Sequence, residues 1–193
     1  MSETVILVSP ADRTLGYGDK MEVHRRGLLH RAFSVFLVDN AGRLLLQRRH
    51  PDKYHSGGLW ANSCCGHPRP KERIGRAAER RTFEELGVRV HLQPVFQTSY
   101  AADFENGMTE NEVVTVFFGK LEEPLKPHPL EVIETALLTP RSVGEEIERH
   151  PARYTYWLRH YFRQHFPVIE EAAKAASDWH PAEQPTAKAN ASH

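Results

Sequence analysis

The chain has little cysteine: 193 residues carry two thiols, and those two are neighbours, Cys64 and Cys65. No spaced framework of bridges can be drawn from them. A bridge between adjacent cysteines needs strained geometry, so both read as reduced thiols. An excess of either charge is also lacking. Twenty-five Lys and Arg balance twenty-five Asp and Glu, so no long-range field recruits nucleic acid or an anionic membrane, and neither is expected as a partner. An anionic ligand would have to be held by a few placed cations. Long apolar runs are missing too, none approaching the roughly 18 residues that span a bilayer. The opening MSETVILVSP has one short apolar run behind an acid and no basic flank, which reads as a first strand rather than a secretion signal. Reduced thiols without an export signal lead to the expectation of a cytoplasmic protein.

What is present suffices for one domain with a sizeable core. RAFSVFLVDNAGRLLLQRR holds two apolar runs around Asp39-Asn40-Ala41-Gly42, a hairpin with turn residues at its tip. Lys71 to Leu86 carries charge with apolar residues at Ile74, Ala77, Ala78 and Phe83, and Gly87 follows, predicting a helix with a glycine stop. VRVHLQPVFQTSYAA and ENEVVTVFFGKL supply strands, EEPLKPHPLEV a proline-rich loop, and GEEIERHPARYTYWLRHYFRQHF helical periodicity broken at Pro151. From Ala172 the composition turns to alanine, polar residues and proline. The expectation is an α+β domain over residues 1–171 and a tail over 172–193 that adds little to the core.

The densest chemistry lies in NSCCGHP, residues 62–68. Two thiols and an imidazole so close together suit a metal clamp, a disulfide, a nucleophile with its base, or crowded core. Counting onward, Gly66 is followed after five residues by Glu72, and after seven more by RRTFEELGV from Arg80 to Val88. This resembles the Nudix box, G-x5-E-x7-R-E-U-x-E-E-x-G-U with U apolar. Gly66, Glu72, Arg80, Glu84, Glu85, Gly87 and Val88 fall in register. The resemblance implies mixed β-sheets flanked by helices, an α/β/α sandwich. One departure is informative. Nudix hydrolases use this helix's carboxylates to collect divalent cations and activate water against a diphosphate, and here Arg81 replaces one glutamate, with Thr82 at the apolar position. Arg81 and Glu85 are i,i+4 neighbours, a guanidinium fork for phosphate beside a carboxylate for a cation. Diphosphate binding survives the change better than hydrolysis does.

Together GLLHRAFSVFLVDNAGRLLLQRR, GLWANSCCGHP, RRTFEELGV and ENEV resemble the type I isopentenyl-diphosphate delta-isomerases, the metal-dependent, flavin-free branch of the Nudix superfamily. The matching runs from Lys20 to Val116 and more weakly to Trp157. It implies interconversion of isopentenyl and dimethylallyl diphosphate, in isoprenoid biosynthesis, through a tertiary carbocation. Such chemistry needs two groups that exchange protons with the hydrocarbon, each typically contributing about 10²–10⁴-fold. The family's reactive cysteine, two residues before a metal histidine, maps to Cys65, and its partner to Glu112. Cys64 receives no role. Glu110 and Glu112, two apart on a strand, share a face. The resemblance assigns both, with His24, His30 and His67, to one divalent ion, Mn²⁺, Mg²⁺ or Zn²⁺. Lys20, Arg49, Lys53 and Arg81 align with diphosphate-binding positions, and Glu85 with the ligand of a Mg²⁺ that bridges the diphosphate. Tyr100 aligns with a tyrosine that bonds the acidic catalyst. Trp157 offers an indole face to a cation, worth roughly 2 kcal/mol when desolvated. A monomer or weak dimer acting on a small-molecule diphosphate, without flavin, is the expectation. Two rivals are a Nudix hydrolase of nucleoside diphosphate derivatives, against which Arg81 speaks, and a structural-zinc interaction module. Adjacent cysteines suit the latter poorly.

Overall fold

Apolar and β-branched runs become strands, and the charged stretches with helical spacing become the layers over them. The computed structural model describes residues 3–179. In chain order the elements are β1 (Thr4–Val8), β2 (Thr14–Asp19), α1 (Lys20–Arg25), β3 (His30–Val38), β4 (Leu44–Arg49), β5 (Trp60–Ala61), β6 (Cys64–Gly66), α2 (Ile74–Leu86), β7 (Gln93–Asp103), β8 (Thr109–Lys120), β9 (Val132–Leu138), α3 (Pro140–Arg149), a 3₁₀ turn (Pro151–Arg153) and α4 (Tyr156–Ser177).

Helix α2 starts at Ile74 rather than at Lys71 because Lys71 sits at φ +67°, outside the helical region. It stops at Gly87, whose φ of 69° closes the helix with a hydrogen bond to Phe83 O. A Cβ at Gly87 would meet Lys126 at 2.7 Å, so glycine is required there for space as well as conformation. β2, α1 and β9 lie outside the sequence expectation. Of these α1 is one and a half turns long, held at its start by the Asp19 side chain accepting from Glu22 N.

Strand β3 is the hub. It runs parallel to β8 from His30↔Glu112 to Val38↔Lys120, and antiparallel to β6 from Phe33↔Gly66 to Val35↔Cys64. β8 in turn pairs with β7, setting Tyr100 opposite Glu112. Alternation along β3 divides the core. Ala32, Phe36 and Val38 face α3 and α4, packing with Val114, Val116 and Phe118 against Val143, Trp157, Leu158 and Tyr161. Phe33, Val35 and Leu37 face α2, packing against Ala77, Ala78 and Leu86. Each fully buried Leu, Val or Phe contributes roughly 1.5–3 kcal/mol, so both faces are clamped. The result is the helix/sheet/helix sandwich of an α+β fold.

Helix α4 carries Pro167 and bends at His165, where φ is −133°. It continues to Ser177 with Ala172 and Ala173 buried in the core. The boundary expected at residue 172 therefore falls inside a packed helix. Residues 180–193 of the expected tail lie outside the described residues. No helix among the described residues is long and apolar enough to cross a membrane.

Candidate active site

At one end of the β3–β8 ladder a cavity of about 230 Å³ opens, lined by Lys20, Arg49, Lys53, Cys65, His67, Arg81, Glu85, Tyr100, Glu110, Glu112 and Trp157. These come from α1, β4 and the loop after it, β6 and the residue that follows it, α2, β7, β8 and α4. His24 and His30 do not line the cavity. They lie fully buried behind Glu110 and Glu112.

The backbone sets the tautomers of those two histidines. Nδ1–H of His24 donates to Lys20 O at 2.6 Å, and Nδ1–H of His30 to Leu28 O at 2.8 Å, so each Nε2 turns to the cluster. Both Nε2 atoms face Glu110 Oε2, at 3.2 and 3.6 Å, and His30 Nε2 stands 3.6 Å from Glu112 Oε1. Ligand atoms of His24, His30, His67 and Glu110 all lie within 4.8 Å of one another. His30 Nε2, His67 Nδ1 and Glu110 Oε2 are buried and make no hydrogen bond, which is costly unless something positive sits among them. Burial opposes a charge on His30, yet the Glu110 and Glu112 carboxylates outweigh it and raise the imidazole to about 10. The cluster thus calls for a positive charge at its centre, and its mixed nitrogen and oxygen donors suit a divalent ion.

Glu112 is held from two sides. Its Oε1 lies 2.9 Å from His67 Nε2, and its Oε2 accepts a 2.6 Å bond from the Tyr100 hydroxyl. Burial and the Glu110 charge push Glu112 up, while the imidazoles of His30 and His67 beside it bring it below the ordinary carboxylate value.

Cys65 sits in a hydrogen-bond chain whose direction is fixed. Asn62 Nδ2 donates to two backbone carbonyls, Val35 O and Cys64 O, both at 3.0 Å. Its Oδ1 must therefore accept, from Trp157 Nε1–H at 3.1 Å and from the Cys65 thiol at 3.2 Å. Ser34 Oγ, 3.3 Å from Cys65 Sγ and 2.8 Å from the Tyr161 hydroxyl, is left to donate to sulfur and accept from Tyr161. Burial pushes the Cys65 thiol up to about 12. Cys64, completely buried against the α2 side, remains a free core thiol.

Three of the four Lys and Arg side chains in the cavity already meet a carboxylate. Lys20 pairs with Glu3 at 2.8 Å, Lys53 with Glu131, and Arg81 with Glu84 at 2.8 Å, with Glu85 and with Glu131 at 3.5 Å. Glu85 also accepts from Gln47 Nε2 at 3.2 Å. Arg49 differs, its guanidinium lying 5.2 Å from the Trp157 ring centroid. Arg48 points outward to Glu134, as strand alternation requires.

The sequence reading missed His55, Ser34, Asn62, Tyr161, Glu3 and Glu131. His55 is the sharpest case: its Nε2 lies 2.6 Å from Glu110 Oε1. A histidine beside Lys53 in the loop after LLLQRR was the available signal. Asn62 stood inside the quoted NSCCGHP, but an amide there is equally at home as a turn residue.

The NUDIX domain family matches residues 28–163. An isopentenyl-diphosphate Delta-isomerase of Burkholderia multivorans is 45% identical over 158 residues, 82% of this chain and 90% of that protein. Another, of Halorhodospira halophila, is 41% identical over 174 residues, 88% of this chain and 98% of that one. Among solved structures, a protein of Deinococcus radiodurans aligns with a TM-score of 0.67 at 20% identity, over 84% of this chain and 99% of its own. A MutT NUDIX hydrolase from Burkholderia pseudomallei aligns at 0.55 and 20%, over 71% and 98%. At such identity these two structures bear on the fold alone.

Proposed function

The chain belongs to the isopentenyl-diphosphate Delta-isomerases within the NUDIX domain family, and from that premise we propose how its residues interconvert isopentenyl and dimethylallyl diphosphate. The reaction adds a proton to the terminal methylene carbon C4, leaving a tertiary cation at C3, and removes one from C2. The observation that carries the assignment is that Cys65 and Glu112 line one cavity together with Lys20, Arg49, Lys53 and Arg81. Burial keeps the proton on Cys65, and Glu112 is held as a carboxylate by its hydrogen-bonded neighbours. One turnover needs one proton donor and one acceptor, and this pair supplies both.

His24, His30, His67, Glu110 and Glu112 would hold one divalent ion, Mn²⁺, Mg²⁺ or Zn²⁺. When bound it supplies fixed positive charge that keeps the carboxylates ionised and oriented. Glu85 would hold a second, Mg²⁺, against the diphosphate, since that ion favours carboxylate, water and phosphate oxygens. Lys20, Arg49, Lys53 and Arg81 bind the diphosphate itself. Trp157, with its N–H spent on Asn62, offers its face to the cation at C3. A cavity slightly smaller than the roughly 300–1,000 Å³ of drug-sized sites suits five carbons and two phosphates. Reduced thiols and balanced charge support a cytoplasmic enzyme of small molecules, and it is proposed to be a monomer or weak dimer that uses no flavin.

The test is direct. Purified protein with Mg²⁺ and Mn²⁺, without flavin, is given isopentenyl diphosphate and followed by proton NMR in deuterated water. Dimethylallyl diphosphate carrying deuterium in a methyl group is expected. Release of phosphate or AMP from diphosphate compounds without isomerisation would overturn the proposal in favour of hydrolysis.

A further inference from the structure

Glu110 divides its two oxygens between two tasks. Oε2 faces His24 and His30 and makes no hydrogen bond of its own. Oε1 is 2.6 Å from Nε2 of His55. A carboxylate can only accept, so the His55 nitrogen must carry the hydrogen, and its Nδ1, 3.3 Å from Ser56 Oγ, can accept from that hydroxyl. The nitrogen of His55 that faces the cluster is thereby committed, and His55 is not among the residues whose ligand atoms converge within 4.8 Å. The ring is also locked. It stacks on Phe104 with centroids 4.6 Å apart and planes at 4°, and meets the edge of Trp157 at 5.8 Å and 82°. Its carbonyl accepts from Arg49 Nη2 at 3.3 Å, and the loop beside it is tied down by Asn106 Nδ2 donating to Tyr54 O.

We propose that His55 is a positioning residue for the metal centre: it donates to Oε1 of Glu110, fixing the carboxylate so that Oε2 is presented to the ion. The proposal rests on the reading of the histidine–glutamate cluster as a metal site. A donor behind a ligating group restricts its rotation and satisfies the oxygen the ion does not use, and losing such a partner typically weakens metal affinity by about 10–100-fold. His55 also joins the metal cluster to the hydrocarbon end of the cavity, because the same rigid ring that bonds Glu110 braces Trp157. A shift of His55 would disturb both at once.

The full chain is stripped of metal and titrated with Zn²⁺ against a chromophoric chelator, and with Mn²⁺ by electron paramagnetic resonance, in four forms: unaltered, H30A, H55Q and H55M. Gln keeps an N–H donor near the position of Nε2, whereas Met keeps bulk without a donor. Thermal melts accompany each titration. The expected result is loss of one bound ion in H30A, about 10–100-fold weaker binding in H55M, and tighter binding in H55Q than in H55M. If H55M does not fold, H55F, which keeps the flat ring, takes its place with the same expectation. Binding by H55M as tight as in the unaltered chain, or equal weakening in H55Q and H55M, overturns the role of His55 while the cluster reading stands. An unaltered chain that takes up no ion, or an H30A that binds as well, overturns the cluster reading and this inference with it.

Discussion

Cys65 is half-buried yet fully engaged, and its neighbours decide what it can do. Asn62 receives its proton without being able to take it, and Ser34, backed by Tyr161, points a hydroxyl hydrogen at the sulfur. As the thiol loses its proton the Ser34 bond becomes charge-assisted and strengthens. S34A should therefore lower kcat about tenfold, the equivalent of about 1.4 kcal/mol, with KM little changed because the hydroxyl is spent on sulfur and Tyr161. A steady-state comparison decides it, and a loss confined to KM would refute this role. C65S should cost about 10²–10⁴-fold in activity while the protein stays folded and metal-bound by circular dichroism and metal analysis. Unfolding with loss of metal would point to structural zinc instead. Cys65, His67, Arg81 and Glu112, which line one cavity, could be named from the sequence because Arg81 breaks a counted frame and the other three lie in segments that resemble one family. Ser34 and Tyr161 could not, since their roles exist only once β3 pairs with β6 and α4 lies across them. His55 needed a loop to fold back onto a strand it does not adjoin in sequence.

Helix α2 begins without a side-chain cap at Arg73 and without an acid in its first turn. Glu72, just before it, is gripped by Arg80 through both oxygens at 2.8 and 2.9 Å, tying the entry to the second turn. The Arg80 hydrogen bond holds Glu72 below its ordinary 4.5. A carboxylate depressed by folding adds stability above its unfolded value, and that stability fades as pH drops through the folded value. Urea midpoints should therefore decline below about pH 4.5. E72Q should flatten part of that decline and cost about 1 kcal/mol near neutrality, a figure kept small by partial exposure. An unchanged acid slope in E72Q would refute the link. Most elements were legible as periodic runs: the hairpin, α2 with its glycine stop, β7, β8, and the helical pair split at Pro151. Three that were not share a cause. β2 contains two glycines, α1 spans six residues, and β9 follows the proline-rich segment, so none reads strongly alone, and each depends on a partner strand or cap.

At the scale of the molecule, two helical layers clamp a sheet whose buried end holds carboxylates and imidazoles in need of a cation. Binding one should stabilise the fold. At an ion concentration a hundredfold above Kd the gain is about 2.7 kcal/mol, or roughly 5–10 °C in Tm for a chain of this size. Calorimetric scans with Mn²⁺ or Zn²⁺ and with chelator should differ by that amount, and H24A or H30A should abolish the difference. Equal melting with and without ions would contradict it. The architecture was legible at this scale through the glycine–glutamate–arginine frame. The extent of α4 was not, because alanines that look like tail composition find a core to fill. Strand β3 carries one last consequence. Cys65 is registered opposite its residue Ser34, and Glu112 opposite its residue His30, so a single backbone is the ruler between the two proton ports. Four residues of strand separate the two backbone anchor points, and both side chains line one cavity. A slip of one residue in either ladder would turn a port to the wrong side of the sheet instead of nudging it. The gap between the ports therefore cannot drift: it is either kept whole or lost outright.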